Sequence, residues 1–293
     1  MEYEEGMIPV EDGFQVWYRR SGSGGGVPLL VLHGGPGTGH DYLESLEELG
    51  RDRPVIFYDQ LGCGRSDRPD EPSRWVIDRF VAEIDTVRQA LGLDKIHLLG
   101  QSWGGWLAIE YMLTQPQGVE SLILASTSAS IAQFVEEAEL LRKELPPDVY
   151  ETLLRYEATG EFDNPAYEAA VDAFYTRHLC RLDEWPDPLL RTGEILNGNQ
   201  VYATMNGPNE FHVIGNLREW DRLDRLAEIK QPTLITVGRF DEITPACAET
   251  LREGIPNSRM VIFENSAHLA HLEEKEDYLE TVSDFLEEVE ISD

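Results

Sequence analysis

Short, mostly apolar runs recur along the chain, at 29–32, 55–58, 96–99, 122–124, 233–237 and 260–263. A strand buried on both faces reads this way, because neither side of its pleat meets water. Residues 14–18 form one more strand. It is separated from the next by Ser21-Gly22-Ser23-Gly24-Gly25-Gly26, a flexible turn rather than a domain boundary. Between the runs, apolar residues recur at helical spacing over about 40–49, 74–91 and 103–114, and again from 245 and over 274–289. Gly92 supplies a stop for the second of these helices. Strands alternating with helices predict a mostly parallel sheet covered by helices on both faces.

The alternation breaks near Ala129 and resumes after Trp220. No buried-strand run falls between them. Amphipathic patches at 131–145, 147–157, 165–182 and 188–196, separated by Pro, Gly and Asn, predict an all-helical cap. Residues 1–128 and 221–293 are therefore read as one α/β core, and 129–220 as a cap inserted into it.

Charge narrows the partners. The chain has 55 acidic and 24 basic residues, a net charge of −31 over 293 residues. Such a surface repels phosphate backbones and anionic lipid, which excludes nucleic acid and membrane surfaces as partners and favours cationic substrates. Most of the acids are read as solvated helix faces, as in Glu273-Glu274-Lys275-Glu276-Asp277. Only four basic residues are lysine. An acid-rich, lysine-poor surface suits high salt, where self-repulsion is screened. No run approaches the roughly 18–20 apolar residues of a membrane span. The acidic start Met1-Glu2-Tyr3-Glu4-Glu5 lacks the basic, then apolar, pattern of a secretory signal. The expected compartment is the cytoplasm. Cys63, Cys180 and Cys247 are scattered, with neither disulfide nor metal-ligand spacing. No metal or other cofactor is expected.

The chemistry concentrates at four places. Gly100-Gln101-Ser102-Trp103-Gly104 follows an apolar strand and opens a helix. A sharp strand-to-helix turn lifts a serine hydroxyl clear of the sheet and crowds the residues two before and two after it, hence glycine at both. Ser102 is the expected nucleophile. His33-Gly34-Gly35-Pro36-Gly37 follows the strand at 29–32. Small residues there let a backbone N–H approach a substrate carbonyl. Gly35, with Gly34 second, would pair with the N–H of Trp103 as an oxyanion hole. His33 precedes the nucleophile, against the Ser, acid, His order of this fold, and is read as bracing the loop.

Asp241 lies just past the strand at 233–237, where open α/β sheets place their sites, with Glu242 as its rival for the acid. His268 leaves the strand at 260–263 and is the expected base, with His271 as its rival on the next turn. His40, His97, His178 and His212 lack such context and are read as packing or surface residues. In the expected mechanism His268 takes the proton of Ser102, Asp241 holds the imidazole, and water clears an acyl-enzyme.

Three motifs, His33-Gly34-Gly35-Pro36-Gly37, Asp59-Gln60-Leu61-Gly62-Cys63-Gly64-Arg65-Ser66 and Gly100-Gln101-Ser102-Trp103-Gly104-Gly105, together resemble the proline iminopeptidase family of α/β hydrolases. The likeness continues at Val201-Tyr202 and, more specifically, at Met205-Asn206-Gly207-Pro208-Asn209-Glu210-Phe211, and returns at 233–242. It is nearest to the archaeal, tricorn-interacting branch. The resemblance implies release of one N-terminal residue, proline or another and often apolar, from short peptides with a free N-terminus. It implies that Glu210 and Glu242 hold the substrate ammonium, and it suggests a functional link to a larger protease. Trp103 stands where tyrosine is expected, and its ring is expected to shape the first-residue pocket.

The nearest alternative is an amino-acid amide or small-ester hydrolase on the same triad. An epoxide or haloalkane hydrolase would need aspartate where Ser102 stands. A ligand-binding protein of this fold usually lacks a triad member.

Overall fold

The computed structural model describes residues 2–292. Eight strands make one sheet: β1 (Tyr3–Pro9), β2 (Gln15–Ser21), β3 (Leu29–Leu32), β4 (Val55–Tyr58), β5 (Ile96–Gln101), β6 (Val119–Ala125), β7 (Thr233–Gly238) and β8 (Ser258–Phe263). Their spatial order is β1-β2-β4-β3-β5-β6-β7-β8. β1 and β2 are antiparallel to their neighbours, and every pairing from β4 to β8 is parallel. β1 escapes the hydrophobic pattern because it is an edge strand in which only Ile8 is buried.

The sheet divides the core in two. Leu30, Leu32, Ile56 and Leu98 pack on one face, and Leu29, Val31, Phe57 and Leu99 on the other. Successive side chains of a strand point to opposite faces, so burying both faces produces the mostly apolar runs. The core helices are α1 (Ile77–Ala90) and α2 (Trp103–Leu113). The expected helix near 40–49 is a 3-10 helix at Asp41–Arg51 instead. Leu43, Leu46 and Leu49 are its buried leucines, and their spacing of three matches three residues per turn.

Between β6 and β7 lie α3 (Ile131–Lys143), α4 (Pro147–Thr159), α5 (Pro165–His178), α6 (Asp187–Leu196) and α7 (Gln200–Met205). Local chemistry sets their ends. The side chains of Ser130, Asn164 and Asn199 accept backbone N–H bonds at the starts of α3, α5 and α7. Gly160 ends α4 in the left-handed conformation. The excursion leaves and rejoins the core at one point, where Ile131 N donates to Trp220 O (3.0 Å) and Arg222 N to Ala129 O (2.8 Å). The chain then returns through β7, α8 (Pro245–Gly254), β8, α9 (Ala270–Glu273) and α10 (Lys275–Ser292).

Candidate active site

Ser102 sits between β5 and α2 with φ +56° and ψ −123°, a strained turn for a residue with a side chain. The flanking glycines are required by contact. A Cβ on Gly100 would lie 2.1 Å from the carbonyl oxygen of Gly104, and one on Gly104 would lie 2.1 Å from that of Leu32. The turn is pinned by Ser102 N to Ala125 O (2.9 Å) and by the Thr127 hydroxyl to Ser102 O (2.8 Å).

His268 and Asp241 meet across the ends of β8 and β7. His268 Nδ1 donates to Asp241 Oδ1 at 2.7 Å, and the same oxygen accepts from Ile243 N at 2.9 Å. His268 Nε2 faces Glu242 Oε1 at 4.0 Å. Burial alone would lower the imidazole pKa. The charge and hydrogen bond of Asp241, then the charges of Glu242 and Glu210, outweigh burial and carry it up to about 9. His271, the rival base, is buried, with Nε2 donating to Tyr42 O at 3.1 Å.

Ser102, His268 and Glu210 line one cavity of about 150 Å³, completed by apolar side chains that include Leu179, Trp185, Leu189 and Leu196. Glu210 reaches it from the loop after α7. That loop is built by its own amides: Asn206 Nδ2 donates to Asn209 O (2.9 Å), and Asn209 Nδ2 to the Tyr167 hydroxyl (2.6 Å). Phe211 anchors it against Phe174, with ring centres 4.6 Å apart. The Tyr202 hydroxyl donates to Glu210 Oε1 at 2.9 Å. Glu242 is buried, and its Oε2 has no hydrogen-bond partner among the described residues. Burial raises the pKa of both glutamates, and for Glu242 the charges of Glu210 and Asp241 push the same way, against His268.

The loop after β3 distinguishes its two glycines. Gly34 N donates to the Tyr42 hydroxyl at 2.7 Å, so its N–H is taken. Gly35 lines the cavity beside Ser102. His33 braces the loop: Nε2 accepts from Gln60 N (3.0 Å), so Nδ1 carries the proton toward Gly34 O (2.9 Å).

Trp103 corrects the sequence expectation. Its ring does not shape the pocket. It is fully buried below the turn, with Nε1 donating to Gln60 Oε1 at 2.8 Å and the indole packed edge-on against Phe80 and Trp106. In an α-helix the first side chain points back and down, here into the core.

Sequence reasoning missed Tyr42, Gln101 and His178. The Tyr42 hydroxyl donates to Gln101 Oε1, and Gln101 Nε2 donates to His268 O at 3.4 Å. One side-chain bridge thus ties the loop of Gly34, the residue before Ser102 and the backbone of His268. Gln101 was visible inside its motif, but no sequence signal marked its partners.

Residues 27–275 match the family described as the alpha/beta hydrolase fold. A proline iminopeptidase of Saccharolobus solfataricus is 48% identical over 264 residues, covering 89% of this chain and 85% of its own length. One from Heyndrickxia coagulans is 43% identical, over 98% of this chain and all of its own. This chain belongs to the proline iminopeptidase family of α/β hydrolases. Two solved structures agree in shape. That of VinJ superposes with a TM-score of 0.95 at 41% identity, covering 98% of this chain and 99% of its own. A Mycobacterium smegmatis proline iminopeptidase gives 0.91 at 36%, covering 99% of both. The Asn206–Phe211 loop that carries Glu210 lies within the residues that the family model matches.

Proposed function

We propose that the chain is a serine aminopeptidase that releases the first residue of short peptides. Ser102 is the nucleophile, His268 its base and Asp241 the orienting acid. The N–H groups of Gly35 and Trp103 receive the developing oxyanion. Glu210 and Glu242 hold the substrate ammonium, and residues 129–220 act as a cap that closes over it. The observation that carries the reading is one cavity that joins Ser102 and His268 to a cap carboxylate. A peptide N-terminus brings a cation for such acids to hold, and an acylated N-terminus brings none.

In this reading the ammonium fixes the first residue, which places its carbonyl over Ser102. His268 takes the serine proton as the tetrahedral intermediate forms, then gives it to the leaving amine. Water repeats the cycle on the acyl-enzyme. Only the first peptide bond satisfies both ends of the site, so each turnover releases one residue. Fragments left by a larger protease are suitable substrates. Three buried cysteines, with no disulfide among the described residues, support a reducing, cytoplasmic setting.

The test is hydrolysis of proline, alanine and leucine anilides beside N-acetylproline anilide. Free-amine substrates alone should be cleaved, and Ser102→Ala should lower turnover by on the order of 10⁶. Equal cleavage of the acetylated anilide would leave an amidase or esterase.

A further inference from the structure

His268 Nε2 is the atom that must accept the proton of Ser102, and its surroundings are unusual. From the loop after β7 it is faced by Asp241, bonded to Nδ1 at 2.7 Å, and by Glu242 at 4.0 Å. From the cap comes Glu210, on the same cavity wall, with Tyr202 donating to its carboxylate and Tyr175 accepting from its N–H. From α9 come His271, whose pKa burial lowers to about 3, and Glu273, whose carboxylate accepts from Ala267 N and Leu269 N. His178 of α5 is likewise held neutral by burial, against Phe240 O. Among the described residues no Lys or Arg forms an ion pair with Asp241, Glu242 or Glu210, and His268 is the one cationic partner of the first two.

Three acids thus converge on one imidazole, and two of them, Asp241 and Glu242, each keep a buried oxygen without a hydrogen-bond partner among the described residues. A carboxyl group in that position either holds a proton or faces a cation. In the free protein the nearest one is the imidazolium of His268, and an imidazolium cannot act as a base. The pKa of about 9 expresses the same balance.

We propose that the substrate's own ammonium converts His268 into a base. Bound between Glu210 and Glu242, it replaces the imidazolium as their counter-cation. His268 then gives its Nε2 proton to solvent and retains the Nδ1 proton shared with Asp241. One cation enters and one proton leaves, so the charge of the site is unchanged. This rests on the aminopeptidase reading and adds to it. A free N-terminus would then raise turnover as well as affinity, because a substrate without an ammonium meets an enzyme whose base is already protonated.

The direct test is calorimetry of proline amide binding to Ser102→Ala at pH 7 in buffers of different ionisation enthalpy. By linkage, release of about one proton per amide bound is expected, falling well below that in Ser102→Ala/Glu242→Gln. Binding without proton release overturns the inference and leaves the aminopeptidase reading intact. Absence of binding, together with inert anilides, sinks both.

A second measurement uses the wild-type chain. Ethylamine should accelerate labelling of Ser102 by a neutral fluorophosphonate at pH 7 by several fold, and should lose that effect at pH 10, where the imidazole is already neutral. Labelling that ethylamine leaves unchanged or slows at pH 7 also overturns the inference.

Discussion

The backbone N–H of His268 donates to the carbonyl oxygen of Leu179, 3.2 Å away. The first residue belongs to the core and the second to the excursion between β6 and β7. The stitch does not stand alone. Glu242 N donates to His178 O at 3.1 Å, and His178 Nδ1 donates to Phe240 O at 2.8 Å. The end of α5 is therefore fastened to the loops of both Asp241 and His268, and moving it would move them.

His178→Phe removes one of these ties and leaves the Phe240 carbonyl unpaired. The bond is part-buried, so its loss should cost about 1 kcal/mol. We expect that loss in urea unfolding, a kcat reduced at least tenfold and a KM changed little. A variant with normal kcat and only reduced stability would show that the tie holds the fold and not the site.

Tyr42→Phe tests the bridge on the other side. The Gly34 N–H loses its acceptor and Gln101 loses its donor. The loop that carries Gly35 is then free to shift. Removal of a single oxyanion donor lowers kcat by about 10²–10³. A displaced donor should cost less, so we expect a fall of about tenfold with KM nearly unchanged. Burial raises the Tyr42 pKa and keeps the hydroxyl protonated, so the deficit should not vary between pH 6 and 9. A deficit confined to KM would place Tyr42 in substrate binding instead.

Acid should destabilise the protein through His271. Burial lowers its folded pKa from 6.5 to about 3. Between those values the unfolded chain binds the proton and the folded one does not, so stability rises with pH. The contribution of the neutral ring is complete above about pH 6.5 and shrinks toward pH 3, by up to about 1.4 kcal/mol per pH unit. His271→Gln should flatten that slope. The measurement is urea unfolding of both proteins from pH 7.5 to 4.5, and parallel curves would contradict the assignment.

Salt should act in the opposite sense to its usual effect on ion pairs. The net charge of −31 makes the folded surface repel itself, and at 1 M salt the screening length falls to about 3 Å. Exposed pairs such as Arg259–Glu288 and Arg239–Glu264 weaken on the same addition, but each contributes little. The melting temperature should therefore rise with KCl. A flat or falling melting curve would count against adaptation to salt.

The sequence by itself determined the parallel sheet, the inserted helices and the places where chemistry could stand. Unbroken runs such as Leu29–Leu32 report two buried faces within four residues. The glycines around Ser102 report a turn too tight for a Cβ. Asp241 and His268 were legible as polar residues just past strand ends. These signals are local: period, strand end and steric space are written within a few residues.

Only the tertiary structure decided the rest. It turned Trp103 into the core and gave the Gly34 N–H to Tyr42, leaving Gly35 at the cavity. It buried His271 against Tyr42 O and fastened the end of α5 to the backbone of His268. It also paired Tyr42 with Gln101, 59 residues away, and Gln101 with His268, 167 residues away. Such partners are chosen by packing across the sheet and cap, and hydrophobic periodicity records which face a residue occupies but not what meets it there.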